Sequence, residues 1–178
     1  MVAHVKTVAF EGIEVTPIDV QVQMSPGIVS FTVVGLPDKA VAESRERVRA
    51  AIHAIGLSLP AKRITVNLAP ADMLKEGSHF DLAIALGILI EMEILSQSHV
   101  ENFYAIGELS LDGALNPVSG VISAALGANQ RKCGIICPQE NGREAAWAGD
   151  LPIIAAPDLI SLINHCKGEQ YLSRPENK

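Results

Sequence analysis

Aromatic residues make up only 4% of this 178-residue sequence. Its core must therefore be packed from Val, Ile, Leu and Ala, which suits sheets covered by close-lying helices. Cysteine is scarce as well. Cys133, Cys137 and Cys166 are an odd number without the paired spacing of a metal site, which excludes a disulfide framework and fits a reducing cytoplasm. Basic charge is in the minority, with 14 Lys and Arg against 20 Asp and Glu and a net charge of −6; a free-standing nucleic-acid binder usually has the opposite balance. Long apolar runs are missing too. The longest, residues 82–90, is about half of what a bilayer crossing needs, and residues 1–10 alternate where a signal peptide would have an apolar block. The expectation is a soluble, cytoplasmic protein that does not engage a membrane.

Nucleotide and metal motifs are absent in turn. None of the 14 glycines is followed by lysine, so the chain has no Walker A loop to cradle phosphates, and no G-x-G-x-x-G fingerprint occurs. The five histidines, His4, His53, His79, His99 and His165, are scattered without H-E-x-x-H spacing, which leaves no metal site to expect. What the chain does have is 48% hydrophobic and 19% charged residues, ordinary for a folded domain of this length.

The pattern predicts an α+β fold. Residues 4–10, 13–24 and 28–34 alternate or are rich in β-branched residues, with turn signals between them, and predict an antiparallel meander of three strands. Pro17 inside the second run points to an edge or a bulge. A helix is predicted over 39–55, with Asp38 as its cap, Gly56 as its stop, and Val41, Val48, Ile52 and Ile55 on one stripe. A strand at 62–68 follows. Ser78 and Asp81 then read as a capping box for a helix over 79–93, apolar on nearly every side and so placed inside the domain. The second half changes to alternating β and α elements. Strands are predicted near 103–106, 134–137 and 152–155, and helices over 119–131, 141–148 and 157–166, a pattern that favours parallel pairing. Residues 167–178 are polar and expected to fray.

Two constellations could carry function. Lys39, Arg45, Arg47, Arg49, Lys62 and Arg63 are six of the fourteen basic residues within 25 positions. They form a candidate surface for DNA or an acidic partner, or else a solvated helix face with Glu43–Arg47 as an i,i+4 pair. Ser78, after Gly77 at the head of a buried helix, could be a nucleophile if a base faced it, or simply an N-cap.

Three stretches together resemble one family: GLPDKAVAESRERVRAAI at 35–52, KRITVNLAPADMLKEGSHFDLAIALGIL at 62–89, and YAIGELSLDGALNPVSGV at 104–121. They are similar to the N-terminal domain of the ComM/YifB proteins, magnesium-chelatase (ChlI-like) relatives that carry an AAA+ module. The resemblance covers residues 1 to about 166, and the combination of motifs is specific. It implies a Lon-protease-like fold, related to the second domain of ribosomal protein S5, over 1–166, with 167–178 as a tail or linker towards an AAA+ module. The Lon-type site places a serine in G-P-S-A-G and a lysine in G-G-L-K. Laid on Gly77-Ser78-His79-Phe80-Asp81 and Ser119-Gly120-Val121-Ile122, the serine position holds His79 and the lysine position Ile122. The resemblance therefore implies a non-catalytic accessory domain without a cofactor. ATP and Mg belong to the AAA+ module, the parent is expected to be a homo-hexamer, and DNA is a possible partner through branch migration in natural transformation. The alternatives are a residual serine hydrolase using Ser78, or a stand-alone regulatory module that binds another protein.

Overall fold

The alternating runs at the start of the chain form the two longest strands, β1 (Ala3–Glu11) and β2 (Glu14–Ser25), paired antiparallel from Ala3↔Val22 to Glu11↔Glu14. A computed structural model describes residues 2–176. The elements that follow are β3 (Ser30–Val34), α1 (Asp38–Ala54), β4 (Arg63–Ala69), α2 (Asp81–Glu91), β5 (Phe103–Ala105), a small hairpin of β6 (Glu108–Leu109) and β7 (Leu115–Asn116), α3 (Val121–Gln130), β8 (Gly134–Pro138), α4 (Gly142–Ala146), β9 (Ile153–Ala156) and α5 (Leu159–Cys166). Seven strands make one sheet in the order β3-β4-β2-β1-β5-β8-β9.

The predicted three-strand meander is corrected here. Strand β3 does not pair with β2. It pairs parallel with β4, and β4 pairs antiparallel with β2. A parallel pair needs a crossover of a dozen or more residues, and the 17-residue α1 supplies it. Because β1, β5, β8 and β9 are also mutually parallel, β2 is the one strand of this sheet that runs against the rest. Pro17 lies opposite Val8, and on its other side the β4 ladder begins only at Asp19. It thus sits at a local edge, where its missing N–H costs no ladder bond.

The sheet separates two cores by the two-residue period of its strands. One face presents Val5, Ile18, Val20, Val22, Phe31, Ile64, Val66 and Leu68, continues through Ile136 and Ile154, and is covered by α1, α2 and α5. The other face presents Val8, Tyr104, Ile135, Cys137, Ile153 and Ala155 to α3 and α4. Opposite the first core, β2, β4 and β3 turn Asp19, Gln21, Gln23, Thr65, Asn67 and Thr32 outward, none of them buried. Every residue of α2 from Asp81 to Ile90 is buried, as its all-round apolar sequence requires.

Helix ends differ from expectation at two places. Pro37 occupies the N-cap of α1 and Asp38 lies in the first turn without a capping bond, while Gly56, at φ +87°, ends the helix as predicted. Phe80 is the N-cap of α2, again without a side-chain bond, so the Ser78–Asp81 capping box does not form. The tail expected to fray is partly tied down. Arg174 donates to the Gly149 and Leu151 carbonyls at 2.7 and 3.2 Å, and Leu172 N–H donates to His165 Nδ1 at 2.9 Å; residues 177–178 lie outside the described residues. No helix among the described residues is long and apolar enough to cross a membrane.

Candidate functional site

The order of the sheet marks one place for a site. From β1 the chain builds outward to β2, β4 and β3, and then returns to the other side of β1 to add β5, β8 and β9. Open sheets of this kind bind ligands at the carboxyl ends of strands where the connections diverge. At that point, beyond the ends of β1 and β5, lies a cavity of about 500 Å³ whose lining includes Phe10, Glu76, Ser78, His79, Pro117 and Ser119. The loop after β4 forms one wall, and the approach to α3 forms the other.

His79 is 5% exposed and is held by Nε2, which donates to the Val8 carbonyl at 2.8 Å. Since a carbonyl only accepts, Nε2 carries the proton and Nδ1 presents a lone pair. The ring is clasped between Phe10 and Phe80, with centroids 5.0 and 4.1 Å away. Burial pushes its pKa down, against the Val8 hydrogen bond, so the imidazole is neutral at neutral pH. Two glycines make the space. A Cβ on Gly77, at φ +105°, would lie 2.7 Å from His79 Nδ1, and one on Gly120, at φ +86°, would lie 2.7 Å from the Phe10 ring. Neither backbone conformation suits another residue.

The Glu108 carboxylate is held below its usual range first by Ser78 and then by Asn116, the latter donating at 3.0 Å. Lys75, 1% exposed, turns its amine back to the Pro70 carbonyl and to that of Met73 at 3.1 Å. Burial lowers its pKa, while the charge of Asp72 acts the other way. Ile122, at the position where the Lon-type pattern has lysine, is 39% exposed; its N–H donates to Glu144 Oε2 at 3.0 Å, and its side chain does not line the cavity.

The basic residues do not act as one surface. Arg47 is corrected from a surface cation to half of an internal ion pair. Its Nε and Nη2 donate to the fully buried Asp81 at 2.6 and 3.1 Å, and the same carboxylate accepts from Ser44 Oγ at 2.7 Å and Leu109 N–H at 3.1 Å. Burial raises the Asp81 carboxyl against those bonds. Four donors and no acceptor face it, which fits the ionised form, and its bonds keep Arg47 firmly protonated. The predicted Glu43–Arg47 pair is present at 3.8 Å but is the weaker contact. Arg45 donates to the Phe31 carbonyl at 2.9 Å. Arg49 lies 3.7 Å from Glu46 and 5.8 Å over the Phe31 ring. Lys39, Lys62 and Arg63 are exposed. Of the six, only Arg49 and Lys62 line a groove of about 690 Å³ between α1, β3 and the 57–62 loop, over a floor that includes Phe31, Leu59 and Ile64. Strand alternation turns Arg63 to the opposite face of the sheet from α1.

Comparison with known proteins gives the same architecture a lineage. Residues 20–141 match the family model for subunit ChlI of Mg-chelatase, a span that includes β4, α2 and the β6–β7 hairpin. The chain belongs to this family. Within it the chain is 42% identical to the competence protein ComM of Haemophilus influenzae over 161 residues, 90% of this chain and 32% of that protein. It is 41% identical to YifB of Salmonella typhimurium over 173 residues and 40% identical to YifB of Escherichia coli over 172, in each case 97% of this chain and 34% of the relative. This ComM/YifB member of the magnesium-chelatase-like AAA+ proteins thus spans about a third of the length of the curated relatives it matches.

The sequence alone points to Ser78, His79 and Ile122 but not to Phe10, Glu76, Glu108 and Asn116. Asp81 offered a usable signal. A carboxylate inside an otherwise apolar helix needs a buried partner, and the arginine-rich α1 was there to supply one.

Proposed function

We propose that this chain is a non-catalytic accessory domain of a magnesium-chelatase-like AAA+ ATPase, with the Lon-protease-like fold of ribosomal protein S5 domain 2. The observation that carries this reading is the environment of Ser78. A serine nucleophile needs a base near neutral pKa to take its proton. Ser78 has instead a carboxylate held below its usual range, while the neighbouring His79 is fastened to Val8 and Lys75 to its own loop. A hydrolase using Ser78 is the reading this disfavours.

In this proposal ATP and Mg bind an AAA+ module of the same polypeptide, which assembles as a cytoplasmic homo-hexamer and drives DNA branch migration in natural transformation. The groove along α1 receives a protein segment of that assembly. Its mainly apolar floor and the exposed Ile28 and Val29 beside it support a protein occupant. The exposed Lys62 in the groove and the exposed Lys39 on α1 favour DNA as the second reading, with Lys39 and Arg63 outside the groove lining.

Unfolded casein incubated with the purified chain should show no cleavage above background, and Ser78→Ala should change nothing. Serine-dependent cleavage would overturn the proposal. For the groove, Phe31→Glu in the full-length parent should impair hexamer formation measured by light scattering. Intact hexamers together with lost, salt-sensitive DNA binding in Lys39→Glu/Lys62→Glu would transfer the surface to DNA.

A further inference from the structure

The crevice between β1 and β5 contains an acceptor that nothing uses. His79 is nineteen-twentieths buried and lines the cavity. Its Nε2 is committed to Val8, and no hydrogen bond reaches Nδ1 from any described residue. The glycine at position 77 keeps the space beside that nitrogen open, since a Cβ there would fall 2.7 Å away. That nitrogen is not sealed off, since Thr7 Oγ1 is the one fully buried side-chain polar atom without a partner among the described residues; Nδ1 therefore stays accessible to a ligand that enters the cavity.

The other polar groups of the cavity have the same bias. Glu76 contributes a carboxylate, and Ser78 and Ser119 contribute hydroxyls that can accept. No lysine or arginine lines the space, and the nearby Lys75 amine is turned away to backbone carbonyls. Phe10 and Pro117 supply apolar wall. An anion finds no charge partner here. A metal ion is poorly served as well, because no group of three His, Cys, Asp or Glu side chains converges among the described residues.

We propose that this cavity binds a primary ammonium group on an aliphatic stem, with the three N–H donors directed to His79 Nδ1, the Glu76 carboxylate and the Ser119 hydroxyl. An ammonium has three donors and no acceptor, the complement of the wall it meets, and its methylene stem lies against Phe10 and Pro117. A lysine side chain of a partner and a small free alkylamine share this chemistry. The inference goes beyond the accessory-domain reading and does not depend on whether Ser78 is inert.

The test is a titration of the 178-residue chain with n-butylamine at pH 7.5, following the His79 ring nitrogens by long-range 1H–15N NMR, with n-butanol as the uncharged control. The expected result is a saturable shift of the Nδ1 resonance with the amine and none with the alcohol. Glu76→Gln should weaken the apparent affinity about three- to fivefold, and Ser119→Phe, at an exposed position, should abolish it by filling the mouth. Both positions are exposed, so the proposal remains testable even if a His79→Phe variant fails to fold. A parallel titration with the blocked peptide acetyl-Gly-Lys-Gly-amide separates the sources. Tighter binding than n-butylamine assigns the site to a lysine side chain, and binding of n-butylamine alone assigns it to a free amine. No Nδ1 shift with the amine, an equal shift with n-butanol, a response to zinc in place of amine, or affinity unchanged in both variants overturns the proposal.

Discussion

On β5, β8 and β9 both faces of the sheet are covered, whereas on β3, β4 and the part of β2 from Asp19 onward one face packs against α1 and α2 and the other is open to water. The closed half gathers small side chains around its second core, with Ala124, Ala125, Ala128, Ala145 and Ala146 bringing α3 and α4 close to the strands. The open half depends on one helix buried on all sides, α2, and on the Arg47–Asp81 pair that ties α1 to it. Burial on two faces lets short strands contribute as much apolar area as long ones covered on one face. Strands of three to five residues suffice in the closed half; in the open half β2 and β4 run to twelve and seven residues, and the edge strand β3 has five.

The largest break in this contrast is expected from Arg47→Ala. It leaves Asp81 ionised and fully buried without its cation, which typically costs about 3–5 kcal/mol, measurable as a lower urea midpoint. Next comes Gly87→Ala, where the added methyl would sit 2.4 Å from Val22 Cγ2. Forcing α2 off the sheet should cost about 1–3 kcal/mol. Gly127→Ala on α3 also meets a valine, Val15 at 2.6 Å, but Val15 is only partly buried and should yield more easily. Equal losses for the two glycines would mean that α2 is packed no more tightly than α3.

At the seam between the halves, His79 should make stability fall with acidification. Its folded pKa lies below the ordinary 6.5, so at pH values below 6.5 the unfolded chain binds the proton first. The contribution is complete above 6.5 and is lost as pH falls towards the folded pKa. Thermal melts from pH 7.5 downward should show this slope, flattened in His79→Phe; a parallel slope in that variant would remove His79 as its source. A smaller change of opposite sign is expected at Thr7, whose Oγ1 is buried without a partner among the described residues. Thr7→Val keeps the shape and removes the stranded hydroxyl, and should raise stability by about 1 kcal/mol.

Much of this fold was legible because its causes are local. Alternation marked β1, β2 and β4, and short apolar runs marked β8 and β9. Pairing partners are not local: β3 follows β2 directly, yet it lies beside β4, which sequence order alone does not show. The site was legible in the same proportion. Ser78 and His79 stood out by their setting in the chain, but the roles of Asp81 and Ser78 depend on partners far away in sequence, Arg47 34 residues before Asp81 and Glu108 beyond the next helix. A local rule therefore assigned both residues to a cap that does not form.

The Arg45 bond to the Phe31 carbonyl has a consequence for how the molecule behaves in a crowded cell. Strand β3 ends the sheet, with Ile28, Val29 and Val34 exposed around it, the kind of rim that recruits stray strands and seeds aggregates. With one outward carbonyl already taken by a guanidinium, an incoming chain would have to break a charged hydrogen bond before extending the sheet. The rim can therefore remain apolar enough to be gripped through side chains and still resist growth by backbone addition.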